Sequence, residues 1–440
     1  MTEIASTAPS SKWLPKLFVC LQQYSWNDLV ADSIAGLTVG LVALPLAMAF
    51  GIASGVTPQA GIYTAVVAGF LVSALGGSRM QIGGPTGAFV VIVAGIVLKF
   101  GLAGLFMVTL MAGCLLIVMG ITGLGAAVQF IPRPVTIGFT NGIAVLIAST
   151  QIKDFLGLTI SSSASAFIER MELIAQHIAT LNWQTVSIAM ASLAAILLAP
   201  YIVKKTPGSI IALFLGTVVT AVFQLPIATI GSKFGGIPLG LPPFAIPEFR
   251  ADLILPLLPS AFTVAILAAV ESLLSAVVAD GMSGDKHNSN VELIAQGFAN
   301  LMSPLVGGIP ATGAIARTAT NIRSGARTPV AGLVHAFTLL VILLVAAPLA
   351  RYIPLATLAA VLFVVAYNMG EWKEIGVIFK LSHADRAVWL TTFTLTVLAD
   401  LTVAVEFGMV LAALLYIYRV AQTTTVATIT DELIALAKSK

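Results

Sequence analysis

Apolar runs of about 20 residues recur along nearly the whole of this 440-residue chain, and nothing else restricts its fold so strongly. Coiled as a helix at ~1.5 Å per residue, such a run crosses the roughly 30 Å hydrocarbon core of a bilayer. With 58% hydrophobic and 9% charged residues and a mean hydropathy of +1.02, the chain has too little charge to cover a water-soluble domain of its length. It reads as an all-α polytopic membrane protein.

Fourteen spans are predicted, at about 33–50, 58–75, 85–98, 103–122, 128–149, 184–203, 208–225, 253–279, 290–303, 311–322, 329–349, 354–367, 387–400 and 402–419. The stretch SSSASAFIERMELIAQHIATLNW (161–183) has helical period but carries Glu169, Arg170 and Glu172, which suits an interfacial helix better than a span. Ser289 followed by Glu292 has the spacing of a capping box and should start the ninth span. With the N-terminus inside, the inner segments hold 16 Lys and Arg and the outer segments 6, so both termini are expected in the cytoplasm. The resulting organisation is a cytoplasmic segment 1–28, seven spans over 29–225, an extracytoplasmic connection 226–252, seven more spans over 253–420, and a cytoplasmic tail 421–440.

The net charge of +3 and pI near 8.8 do not point to a nucleic-acid partner, because the basic residues fall in short loops where they orient the chain in the bilayer. The N-terminus MTEIASTAPSSKWLPK is polar for too long to be a secretory signal. Cys20 and Cys114 make no disulfide framework, and His177, His287, His335 and His383 lack ligand spacing, so neither metal nor cofactor is expected. Without a buried Ser/His/Asp set or a nucleotide loop, an enzyme is not expected either. The glycines of GGPTGA sit in no βαβ context.

Two spans are too short. The third and tenth offer about a dozen helical residues each, and non-helical backbone at that depth is tolerated only against protein or a water-filled cavity. Their breaks resemble one another: GGPTGA at 83–88 and GGIPATGA at 307–314, with Thr86 and Thr312 226 positions apart. A second pair, AGLTVGLVAL (35–44) and AFTVAILAA (261–269), sets Thr38 and Thr263 225 apart. Seven spans between equivalent positions invert the second copy. Inverted repeats with Gly/Pro-interrupted helices mark the midplane site of a secondary transporter. A half-helix should start near Gly87 and another near Gly313, their free N–H groups and positive dipole ends facing each other as an anion site. Its residues are Gly84, Pro85, Thr86 and Gly87 from one break and Ala311, Thr312, Gly313 and Ala314 from the other.

Glu271 is the one ionisable residue of AFTVAILAAVESLLSAVVA (261–279). A charge at that depth costs a few kcal/mol (about 3) on insertion scales and marks ion or proton pathways. Arg317, early in the tenth span, is its natural partner. A proton on Glu271 would release the guanidinium to hold an anion, linking the two movements. Ser272 and Ser275 lie near enough to add hydroxyl ligands. Asp280, Asp285 and Lys286 read as a solvated cytoplasmic loop.

These residues carry a resemblance. PQAGIYTAVVAGFLVSALGGSR (58–79) closely follows the signature of the SulP, or sulfate permease, anion transporters, departing at Ala60 and Ile62. DSIAGLTVGLVALPLAMAFGIASG (32–55), GGPTGAFVVIV (83–93), ESLLSAVVADGMSGDKHNSNVELIAQGFANLMSPLVGG (271–308) and ATNIRSGARTPVAG (319–332) resemble the same family. The resemblance implies fourteen spans in a 7+7 inverted repeat with core and gate domains (the UraA-like fold), a homodimer, an anion held between the third and tenth half-helices, Glu271 at the coupling position and Arg317 at the basic one. Pro45, Leu46 and Phe50 then line the cavity from the first helix. Sulfate-type members carry Gln and Tyr where this chain has Leu46 and Phe50, and PLAMAFGIASG is closer in wording to bacterial dicarboxylate and bicarbonate branches. The expected activity is proton-coupled uptake of a C4-dicarboxylate across a bacterial cytoplasmic membrane. The alternatives are sodium- or proton-coupled bicarbonate or sulfate transport, with Glu271 and Ser275 as cation ligands, or an uncoupled anion channel. Family members continue into a cytoplasmic STAS domain, and RVAQTTTVATITDELIALAKSK stands about where it would begin, so the tail is expected to lack it.

Overall fold

The computed structural model describes residues 13–126, 133–160, 164, 166–202, 207–238, 240–248, 250–380 and 383–399, with Phe407, Val410 and Leu414 beyond them. A short α1 (Lys16–Leu21) leads into α2 (Trp26–Ala53), which Ser25 and Asp28 start with a reciprocal capping box. α3 (Pro58–Leu75) has proline at its first position, where the missing N–H costs nothing. The third and fourth expected spans form one element, α4 (Phe89–Ile121), divided at Gly101, whose φ of 68° interrupts the helix. α5 (Arg133–Leu156), α7 (Trp183–Ile202) and α8 (Gly208–Phe223) follow. α6 (Phe167–Gln176) buries none of its residues, as expected of an interfacial helix, and α9 (Ile230–Phe234) is a single turn.

The second half repeats the pattern. α10 (Ile254–Ser283) and α11 (Ser289–Leu305) precede α12 (Ile315–Arg323), which has nine residues and so covers ~14 Å of a roughly 30 Å core. α13 (Val330–Ala350), α14 (Leu355–Met369), α15 (Trp372–Ile378) and α16 (His383–Leu398) complete the described helices. Among the described residues seven helices are long and apolar enough to cross a membrane, and shorter apolar ones accompany them. Thirteen of the fourteen expected spans coincide with helices, and of the span 402–419 only Phe407, Val410 and Leu414 are among the described residues.

Packing sorts the helices into two groups. α2 and α3 pack on α13, α3 and α4 on α11, α4 on α10, and α10 on α12. In the other group α5 packs on α14, α16 and α7, and α7 on α8 and α14. The two meet where α2 lies along α8 and α14. Phe214, Val222 and Phe223 of α8 stay exposed, the face such a helix turns to lipid.

The capping box expected at Ser289 does not form. Asn288 is the N-cap, its Oδ1 accepting from the backbone N–H of Asn290 (3.1 Å) and Val291 (3.2 Å). Glu292 is drawn elsewhere because two buried turn amides need it. Its Oε2 accepts from the N–H groups of Gly77 (3.0 Å) and Ser78 (3.1 Å). Asp280 lies in the last turn of α10 rather than in a loop, and the 284–288 loop is less solvated than expected, since Asp285 pairs with Lys16 at 2.9 Å and Asp280 with His287 at 2.6 Å.

Candidate anion site at the helix breaks

Two helices that begin inside the protein leave backbone groups at their approaches that water cannot reach, and α11 satisfies several of them. Glu292, Gln296, Asn300 and Ser303 recur at helical spacing along α11, all fully buried. Glu292 holds the turn after α3, as above. Asn300 grips Ala311 from both sides, donating from Nδ2 to its carbonyl (2.8 Å) and accepting its N–H at Oδ1 (2.9 Å). The Ser303 hydroxyl donates to the carbonyl of Ile309 (2.7 Å), whose N–H reaches Thr64 Oγ1 (2.7 Å). One polar stripe therefore fixes the approach to both breaks.

The breaks then meet as β1 (Gly83–Gly84) and β2 (Thr312–Gly313), paired antiparallel with Gly83 opposite Gly313 and Gly84 opposite Thr312. Beyond them α4 and α12 start after Ala88 and Ala314, one or two residues later than expected, and neither has a side-chain cap. Two uncapped helix N-termini thus lie beside one short sheet inside the protein, the arrangement expected of an anion site made from backbone.

The charged groups straddle the first break. Thr86 Oγ1 donates to Glu271 Oε2 at 2.7 Å, and the Arg317 guanidinium donates from Nη2 to the carbonyl of Pro85. Arg317 is 3% exposed and its Nη1 has no protein partner, while Thr86 and Glu271 are half-buried. The direct Glu271–Arg317 ion pair expected from sequence is absent among the described residues. The carboxylate and guanidinium instead hold two adjacent residues, Pro85 and Thr86. Gly84 makes room for this: its φ is +146°, and a Cβ there would stand 2.6 Å from Arg317 Nη1.

The remaining predicted residues divide. Thr312 is buried and donates to the carbonyl of Ala268 (2.8 Å), and Ala314 N–H donates to Ile82 (2.8 Å). Gly87 faces Phe50, Ile147 and Met369, which brings α2, α5 and α14 to the mouth of the site. Phe50 therefore lies next to the start of α4. Leu46 packs among Ile196, Ala212, Ala360 and Val361 at the seam between the groups, and Pro45 is buried within α2. Ser272 and Ser275 do not join Glu271. Ser272 Oγ accepts from Gln81 Nε2 (2.8 Å) and Ser275 shares a proton with Thr318 Oγ1 (3.0 Å). Sequence reasoning missed Gln81, Glu292, Asn300 and Thr318, although the spacing of Glu292, Gln296 and Asn300 was a signal available in the sequence.

Comparison with known proteins gives the family and the fold. Residues 29–392 match the Sulfate permease family. The chain is 48% identical over 404 residues to the putative sulfate transporter YvdB of Bacillus subtilis, covering 92% of this chain and 76% of that protein. It is 35% identical over 418 residues to the bicarbonate transporter BicA of Picosynechococcus, covering 92% and 74%. The transmembrane domain of a cyanobacterial BicA superposes with a TM-score of 0.78 at 33% identity, over 89% of this chain and 98% of that one. SLC26A9 superposes with a TM-score of 0.83 at 20% identity, over 93% and 68%, a likeness of fold. The likeness to these two structures, over about nine-tenths of the chain, shows the UraA-like helical fold expected from sequence.

Proposed function

The chain belongs to the sulfate permease family, and we propose that it is a secondary transporter of a small oxyanion, bicarbonate or sulfate, across a bacterial cytoplasmic membrane. The anion binds between the starts of α4 and α12, where backbone N–H groups and Arg317 Nη1 face the space beside Thr86. Glu271 links anion movement to a proton. The observation that carries this reading is the pair of grips on one dipeptide, Glu271 on Thr86 and Arg317 on Pro85. A change of charge on Glu271 alters its hold on Thr86, and through Pro85 the placement of the guanidinium that would meet the anion. Coupling by a shared segment replaces the direct neutralisation expected from sequence.

The C4-dicarboxylate expected from PLAMAFGIASG has no counterpart among these relatives, whose names give sulfate or bicarbonate. Those two anions take its place, and fumarate becomes the control. The Lys and Arg bias supports cytoplasmic termini, the repeats of this reading span 29–225 and 253–420, and two chains associate as a homodimer.

The test is uptake of labelled sulfate, bicarbonate, fumarate and succinate into proteoliposomes under an inward proton gradient, a sodium gradient, or neither. Sulfate or bicarbonate uptake that rises with the proton gradient, a rise lost in Glu271→Gln, supports the reading. Sodium-driven uptake that ignores the proton gradient overturns the coupling, fumarate as the sole substrate overturns the anion class, and current without coupling makes the protein a channel.

A further inference from the structure

A cavity among the described residues lies away from the helix breaks. It has a volume of ≈ 380 Å³ and lies at the far ends of α2, the first part of α4 and α5, on the face opposite α1. α6 and α9 close it from the side. Ala94, the first α4 residue on its wall, lies six residues beyond Ala88, so the cavity begins ~9 Å along the helix from the break. It sits at the seam between the two helix groups, where a rocking motion would open or close it.

Its lining is positively charged. Lys153, Arg170 and Lys233 contribute three cations, and Asp154 is the one carboxylate among the lining residues. Asp154 lies 3.5 Å from Lys233. Lys153 is half-buried, and its ammonium donates to a backbone carbonyl, that of Ile160. A neutral carbonyl does not neutralise an ammonium, which keeps two further donors. Thr150 adds a hydroxyl to the same wall. Glu169 acts on Arg170 from the same helix, which leaves an excess of one positive charge in a recess partly shielded from water, and that excess attracts anions and concentrates them there. The volume admits a small anion with its water shell, and the walls contact it through flexible cationic side chains, so charge is recognised more than shape.

We propose that this cavity is a second anion-binding site, which receives a small oxyanion on the face opposite α1 before it reaches Thr86 and Arg317. Its place on the transport route rests on the function proposed above, whereas its binding of an oxyanion does not. A phosphate-type lipid headgroup offers the same chemistry as a free oxyanion, and the experiment separates the two.

Purified protein in neutral phosphatidylcholine nanodiscs is treated with a membrane-impermeant amine-acylating reagent, and the modification of each lysine is followed by mass spectrometry. Sulfate, against gluconate at equal ionic strength, should slow acylation of Lys153 by about threefold or more while leaving Lys286 unchanged, and Arg170→Gln should abolish the protection. The absence of protection overturns the site. Protection that requires phosphatidylglycerol in the disc, and not sulfate, also overturns it and assigns the cavity to a lipid. This readout needs no transport, so it stands or falls apart from the transporter reading. In proteoliposomes, Lys153→Gln should raise KM for entry from that face by about three- to tenfold and leave KM from the other face unchanged. Equal losses from both faces would show Lys153 to be a brace for the 157–160 segment. Lys233→Gln, on the exposed α9 turn, repeats the test without touching that brace.

Discussion

Glu292→Leu should be far more damaging than any surface change, although it removes a charge from an apolar interior. The carboxylate is fully buried and makes no ion pair among the described residues. Its Oε2 accepts from the N–H groups of Gly77 and Ser78 at 3.0 and 3.1 Å, and its Oε1 accepts from Gln296 Nε2 at 3.0 Å. A fourth contact, from Ser272 Oγ at 3.4 Å, is long enough to discount. Leucine has nearly the same volume, so the loss is one of acceptors. Each buried donor left without a partner costs about 1–3 kcal/mol, and the two backbone N–H groups cannot turn elsewhere, which gives about 2–6 kcal/mol. Relief from burying a carboxylate offsets part of this, and a net loss of about 2–5 kcal/mol is expected. Glu292→Gln keeps an oxygen for both backbone donors and should lose about 1–2 kcal/mol, the difference between charged and neutral acceptors. Glu374→Gln, which breaks a pair with the exposed Arg133, should fall within about 0.5 kcal/mol of the parent. Reversible unfolding in mixed micelles ranks the three proteins, and hydrogen exchange at Gly77 and Ser78 locates the damage. A Glu292→Leu protein as stable as Glu374→Gln would falsify the claim that this carboxylate holds the turn before the first break.

Three further outcomes follow from the same geometry. Gly84→Ala adds a methyl group against Arg317 Nη1 at a backbone angle that alanine resists, so transport should drop by about 100-fold or more while the purified protein stays monodisperse. Thr86→Val keeps the shape but deletes the donor to Glu271, and kcat/KM for the anion should fall by about three- to tenfold, with a changed dependence on the proton gradient. Burial raises the Cys20 thiol above its ordinary range, with opposition from Arg79 and Lys16, so it is protonated and slow to react at neutral pH. Its labelling by a maleimide should still be accelerating above pH 9, and a rate that levels off near pH 8 would contradict that environment.

The spans were legible because bilayer thickness writes itself into the chain as run length, and the breaks because Gly and Pro interrupt two runs at related positions. The half-helix starts at Phe89 and Ile315 came within two residues of Gly87 and Gly313 for that reason. What the sequence hid was who partners whom. Glu271 and Arg317 are obvious as a charge pair in a list of buried ions, yet the chain inserts Pro85 and Thr86 between them. Linear order carries no trace of that insertion. Glu292 was read as a local cap because i to i+3 spacing is a frequent local pattern, whereas its partners lie 214 and 215 positions away. Ser272 was assigned to its neighbour Glu271, but adjacent helical residues point about 100° apart, and its hydroxyl meets Gln81 instead.

The stripe on α11 also has a consequence for how the protein is made. The first half of the chain, as it enters the membrane, contains a turn at Gly77 and Ser78 whose amides wait for a carboxylate 215 and 214 residues downstream. Gly83 and Gly84 likewise wait for Gly313 and Thr312. Until α11 and β2 have been synthesised, the early helices hold a polar gap with no partner inside the bilayer. The first repeat is therefore an incomplete object during biosynthesis, and its break must be kept from lipid by water or by the insertion machinery while the second repeat emerges. Ribosome stalling before residue 292 should leave a chain that is inserted yet unusually open to proteases at 76–84, and release of the stall should close it.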